Sequence, residues 1–214
     1  MTAIRCVMRG ALAGKTIGRI LFNRAIERAA REISGRVLDI AGGREPSYLR
    51  FLPKDIDLVR TDLHASDGVV ALDMNRSLPY QDGSFDTVLL FSALYAAEDP
   101  QMLAREVHRV LKSGGRWLIS SPFIANEMSE PHDYVRFTAE GLERLCRTAG
   151  FASVNIERIG ERASAATHIL QPFFLFNIIR AFVFPLAIFF DWLIPSSVRA
   201  AHPSPISYFV RCTK

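Results

Sequence analysis

Residues 37–46, VLDIAGGREP, decide how the chain is read. An apolar run of strand length carries Asp39 near its end, the Gly42-Gly43 pair punctuates it, and Pro46 suits the start of a helix. A strand that runs into a glycine turn and then a helix lets backbone N–H groups approach a ligand closely, the geometry that cradles a nucleotide-like cofactor. The loop is irregular in one respect: Ala41 and Glu45 stand where such loops usually carry glycine.

Outward from this stretch, short apolar runs alternate with helical patterns. RVLDI (36–40), DLVRTD (57–62), GVVALD (68–73), DTVLLFS (86–92) and GRWLISSPF (115–123) each lead into a turn or a helix. That rhythm means a parallel sheet with covering helices. The clearest helix, 99–115, has Asp99 as N-cap, Pro100 in its first turn, an apolar stripe of Leu103, Val107, Val110 and Leu111, and Gly114 at its end. A second opens at Thr138, buries Leu142, Leu145 and Ala149, and closes at Gly150. The strands SVNIERIG (153–160) and ISYFVRCT (206–213) bracket an apolar stretch, and residues 17–33 form an amphipathic helix with Phe22, Ala25, Ile26, Ala29 and Ile33 on one stripe. The chain divides into a basic N-terminal helical region, 1–34, a main domain of 35–163 with 204–214, and an apolar helical insertion, 164–203.

With 214 residues, 49% of them hydrophobic, the chain can build one core. Its net charge of +4 is concentrated: Arg5, Arg9, Lys15, Arg19, Arg24, Arg28 and Arg31 face only Glu27 in the first 31 residues. Such a cluster is either a solvated helix face or an attraction for an anionic membrane surface or nucleic acid. Nucleic acid is not favoured, because no aromatic residues interleave a basic groove. Cys6, Cys146 and Cys212 show no metal-ligand spacing, and basic residues interrupt the N-terminus before an apolar run of signal-peptide length forms, so a reducing cytoplasmic setting is expected.

Taken in order, VLDIAGG, the aspartate ending the second strand, LPYQDGSFDTVLLFSAL, REVHRVLKSGGRWLIS and PHDYVRFTAEGLERLCRTAGF resemble the class I S-adenosylmethionine-dependent methyltransferases, in particular the methyltransferase type 11 group. The resemblance covers roughly residues 35–160 and, by topology, the last strand. It implies a Rossmann-like α/β fold: a seven-stranded, mostly parallel sheet with an antiparallel last strand, helices on both faces, and S-adenosyl-L-methionine as cofactor. In the family spelling D-x-G-x-G-x-G, Asp39 and Gly43 match, Gly42 fills a variable position, and Ala41 replaces the first glycine. A methyl at Ala41 is tolerable if its φ is negative. Glu45 is expected to face solvent or to cap a helix opened by Pro46.

The candidate cofactor residues are Asp39, Ala41, Gly42, Gly43, Asp62, Leu63, Asp73, Met74 and Phe91. Asp62 lies 23 residues after Asp39, the separation at which a carboxylate ending the next strand can take both ribose hydroxyls. Asp73 can accept from an adenine amino group, and the Met74 thioether can cover the ring. Phe85 and Asp86 are read as structural. His132 and Asp133, after the fifth strand, are the candidate catalytic residues: the His132 imidazole can serve as a general base and Asp133 can orient it or act as base itself. Both could equally belong to a hydrogen-bonded cap over the next helix.

The expected activity is methyl transfer to an oxygen of a small-molecule, glycan or lipid-linked acceptor. An N-methyltransferase and a non-catalytic scaffold that keeps the fold are the alternatives. Residues 168–195 hold seven of the fifteen phenylalanines but are interrupted by Pro172, Arg180, Pro185 and Asp191, so they are expected to form two short helices rather than a membrane span. These would lie in a membrane interface, close a lid, or form a homodimer contact.

Overall fold

The computed structural model describes residues 3–128 and 131–214. Its seven strands are β1 (Arg36–Ile40), β2 (Asp57–Asp62), β3 (Val70–Ala71), β4 (Phe85–Phe91), β5 (Leu111–Pro122), β6 (Ser153–Ile159) and β7 (Ser207–Thr213). They form one sheet in the order β3-β2-β1-β4-β5-β7-β6. All neighbours are parallel except β7, which runs antiparallel to both β5 and β6. The order reverses between β1 and β4, and open α/β sheets bind ligands at the carboxyl edge of such a reversal.

The helices are α1 (Ala3–Leu12), α2 (Ile17–Ala29), α3 (Pro100–Val110), α4 (Ala139–Thr148), α5 (Arg162–Ile169), α6 (Asn177–Leu193) and α7 (Ser196–Ala201). Successive side chains of a central strand point to opposite faces, and the core divides accordingly. Leu38, Leu90, Trp117 and Ile119 pack with Leu103 and Val107 of α3 and Leu142 of α4. Val37, Leu89, Leu118 and Phe209 pack on the other face with Phe22, Ala25, Ile26 and Ala29 of α2. The N-terminal amphipathic helix is thus one of the covers of the sheet. The expected caps are present: the Asp99 carboxylate accepts from the N–H groups of Gln101 and Met102, and the Thr138 hydroxyl accepts from Gly141 N–H. Phe85 is buried against Tyr80, and Asp86 accepts from Arg36 N–H and Lys112, structural roles as read from the sequence.

Four expectations are corrected. The helix read over 99–115 ends at Val110, and Leu111 and Gly114 belong to β5. Pro46 opens no α-helix; a 3-10 turn, Leu49–Phe51, follows β1 instead, and α2 covers the face that a helix there would otherwise shield. GVVALD yields only a two-residue strand at the edge of the sheet. The 168–195 stretch forms one 17-residue helix, α6, preceded by a 3-10 turn, and it runs through Pro185. Burial of Ala181, Phe184 and Ala187 against α1, α2 and α5 outweighs the local proline penalty. Asp191 does not interrupt α6 either, because it turns inward and accepts from the N–H groups of Ala163 and Ser164 at the start of α5. Among the described residues, no helix is long and apolar enough to cross a membrane.

Candidate active site

The carboxyl ends of β1, β2 and β4 meet at one edge of the sheet. Asp39 is fully buried there, and the Tyr48 hydroxyl donates to its carboxylate at 2.8–2.9 Å. Burial pushes the Asp39 pKa up to about 7, against the pull of the Tyr48 bond and the Arg60 charge. Burial and the adjacent Asp39 in turn drive the Tyr48 hydroxyl far above its ordinary range. A Cβ at Gly42 would stand 2.2 Å from Asp39 Oδ2, so Gly42 is required where the family pattern allows variation. Its N–H donates to Thr61 O at 2.9 Å, tying the loop to β2.

Ala41 has a φ of 57°, which overturns the expectation of a negative angle. Among the described residues it shares a positive φ with one other non-glycine, Ser92, at 56°. These two follow the adjacent parallel strands β1 and β4, so the left-handed backbone clusters at the sheet reversal. Such conformations cost about 1–3 kcal/mol each and collect at ligand sites.

Asp62, Leu63, Asp73, Met74, Tyr95 and His132 line a cavity of about 650 Å³, a size suited to a small organic ligand. Asp62 Oδ1 accepts from Leu63 N–H at 2.7 Å, and a Cβ on Gly43 would lie 3.2 Å from Asp62 Oδ2. The bare Gly43 backbone therefore gives close approach beside the carboxylate. Asp73 Oδ1 accepts from Asn75 N–H at 3.0 Å, and its Oδ2 lies 3.2 Å from Arg76. A second cavity, of about 510 Å³, is bounded by Arg19, Arg44, Tyr48, Phe91 and Ser92. A third, of about 170 Å³, is lined by Arg19, Ser92, Ser120, Met128 and His168. Ala41 borders the first two and Ser92 all three. Of the sequence-derived set, Ala41, Asp62, Leu63, Asp73, Met74 and His132 line the first cavity, Gly42 and Phe91 the second, Gly43 lies beside Asp62, and Asp39 lies beneath the loop, covered by Tyr48.

His132 is exposed, stacks on Tyr134 and borders the largest cavity. The Asp133 carboxylate is bound by Arg136 and accepts from Met128 N–H at 2.8 Å. The Arg136 bond holds the Asp133 carboxyl below its usual range, as suits an acceptor that fixes the loop. Four residues of the site were not read from the sequence: Arg19, Tyr48, Ser92 and His168. His168 Nδ1 is buried without a hydrogen-bond partner, and burial lowers the imidazole pKa. No spacing signal marks these four, because each reaches the edge from a different element.

A family model described as a methyltransferase domain matches residues 47–119. No curated protein matches the chain. Among solved structures, the chain is similar to an S-adenosylmethionine-dependent methyltransferase from Archaeoglobus fulgidus, at 17% identity, with 92% of this chain and 94% of that one covered and a TM-score of 0.60. It is similar to Haemonchus contortus phosphoethanolamine N-methyltransferase 2 in complex with S-adenosyl-L-methionine, at 17% identity over 90% of this chain and 52% of that one, TM-score 0.57. The [4+2]-cyclase SpnF is also similar, at 19% identity, 90% and 79% coverage and a TM-score of 0.58. The fold is that of class I methyltransferases, and residues 47–119 match the methyltransferase domain model.

Proposed function

We propose that the chain transfers a methyl group from S-adenosylmethionine to an oxygen of a small-molecule, glycan or lipid-linked acceptor. The observation that carries this reading is the placement of Asp62 beside the bare Gly43 backbone, in a cavity also lined by Asp73 and Met74 and bounded by the strained Ala41 and Ser92. A carboxylate there can accept from two vicinal hydroxyls, while Leu63 and Met74 offer apolar surface to a planar base. Arg19, in the adjoining cavity, supplies a cation for a ligand carboxylate.

S-adenosylmethionine, when bound, supplies an activated methyl group on a sulfonium, so the protein must align a nucleophile and exclude water. The small cavity past Ser92 suits the acceptor, because it holds His168, whose Nδ1 has no hydrogen-bond partner, and an imidazole can take a hydroxyl proton. His132 on the rim is the second candidate base, and Asp133 holds the loop that carries it through Arg136 and Met128.

Calorimetric titration with S-adenosylmethionine and S-adenosylhomocysteine tests the donor half, and absence of binding at millimolar ligand refutes it. Incubation with methyl-labelled S-adenosylmethionine and a lipid-containing cell extract tests the acceptor half. A labelled product stable to mild base but carrying its methyl on nitrogen would replace the oxygen assignment.

A further inference from the structure

The solvent side of α6 has an unusual composition. Ile178, Phe182, Leu186, Phe189, Trp192 and Leu193 each expose half or more of their surface. The two charged residues of the helix are on the other side: Asp191 caps α5, and the Arg180 guanidinium donates to Phe174 O at 2.9 Å. The outward arc of α6 therefore carries no charge. The turn before it continues the patch, with Phe173, Leu175 and Phe176 strongly exposed. α1, which packs along α6, adds exposed Ile4 and Leu12 beside Arg5. A contiguous apolar surface of this kind marks an interaction site.

Charge identifies the partner. The segments that build this layer, 1–31 and 162–206, hold ten lysines and arginines against two acids, Glu27 and the buried Asp191. On the other side of α1, between it and α2, lies a cavity of about 370 Å³ lined by Arg9, Lys15, Arg24 and Arg50, with Glu27 and Asn23. Asn23 is 4% exposed; its Oδ1 accepts from Ser47, and its Nδ2 is a buried donor without a partner. Burial, then the charges of Arg50 and Arg19, depresses the Lys15 pKa. Several cations and an orphaned amide donor converge on a space that an anionic oxygen group would satisfy.

We propose that this layer docks on an anionic phospholipid surface, with the outward face of α6 in the acyl boundary and the cavity between α1 and α2 taking a headgroup phosphate. A second copy of the chain fits less well, since it would bring the same excess of positive charge to the contact. Basic residues beside an inserted apolar helix are what binding in an anionic interface requires. On the methyltransferase reading, the arrangement has a purpose: α5, which carries His168 into the small cavity, packs against α6, so docking sets the acceptor cavity near the lipid surface.

The experiment is co-sedimentation of the full chain, without cofactor, so that its outcome is independent of methyl transfer. Vesicles of phosphatidylcholine alone, vesicles with one-third phosphatidylglycerol, and inorganic phosphate at 10 mM as competitor form its arms. The chain is expected to pellet with the anionic vesicles and not with phosphatidylcholine, and phosphate is expected not to displace it. Phe182→Asp with Phe189→Asp, and separately Lys15→Glu with Arg24→Glu, should each lower the vesicle partition at least tenfold with unchanged circular dichroism. The proposal is overturned if the wild type stays in the supernatant with anionic vesicles, if phosphate alone displaces it, or if the chain is a dimer in solution that Phe182→Asp converts to monomer.

Discussion

Two neighbouring parallel strands carry aspartates at or next to their carboxyl ends, and these do opposite things. Asp39, one residue before the end of β1, is sealed beneath its loop, accepts from the Tyr48 hydroxyl and has its pKa pushed up to about 7 by burial. Asp62, closing β2, stands open on the largest cavity of the edge, beside a glycine with no side chain to shield it. One carboxylate is part of the loop's scaffold, and the other is available to a ligand. The difference shows that position at a strand end does not by itself give a residue its role; the covering of the side chain does.

The comparison breaks most visibly at Asp62. Asp62→Ala should weaken S-adenosylhomocysteine binding by roughly 100-fold or more, since two charge-assisted bonds of about 1.5–3 kcal/mol each are lost. Calorimetry that finds the variant equal to wild type removes Asp62 from the site. Gly42→Ala, by contrast, should act on the scaffold: its Cβ would meet Asp39 Oδ2 at 2.2 Å, and overpacking of this kind costs about 3 kcal/mol. Denaturant unfolding checks it, and a loss below about 0.5 kcal/mol would mean the carboxylate moves freely.

Asp39 itself gives a pH signature. Its folded pKa, about 7, lies above the ordinary value of 3.8, so the stability it contributes is full below about pH 4 and is lost as pH rises through 7. Asp39→Asn, which keeps an acceptor for Tyr48, should therefore gain on wild type by roughly 2 kcal/mol between pH 5 and 8. A stability gap that stays constant over this range would show that Asp39 is ionised throughout. The smallest effect is expected at Asp73, whose carboxylate is partly engaged by Asn75 N–H and Arg76. Asp73→Ala should weaken S-adenosylhomocysteine about tenfold, the value of one such bond. A loss at Asp73 larger than at Asp62 would exchange their assigned roles.

The sequence alone determined most of the strands and the candidate residues at their carboxyl edge. Apolar runs at regular intervals, caps at Asp99 and Thr138, and the 23-residue step from Asp39 to Asp62 are local signals, set by backbone hydrogen bonding and side-chain periodicity. The buried stripe of α2 was legible for the same reason, since Phe22, Ala25, Ile26 and Ala29 recur at helical spacing. The tertiary structure decided what depends on contacts between distant segments. Ala41 takes a left-handed φ that its own side chain disfavours, in a loop that Gly42 ties to β2. Tyr48 covers Asp39, Arg136 engages the Asp133 carboxylate, and α6 runs through Pro185 because its inward face is packed. Arg19 and His168, 149 positions apart, meet at one cavity. A local pattern cannot report such meetings, because the energy that fixes them is supplied by burial and hydrogen bonds formed only when the whole chain closes.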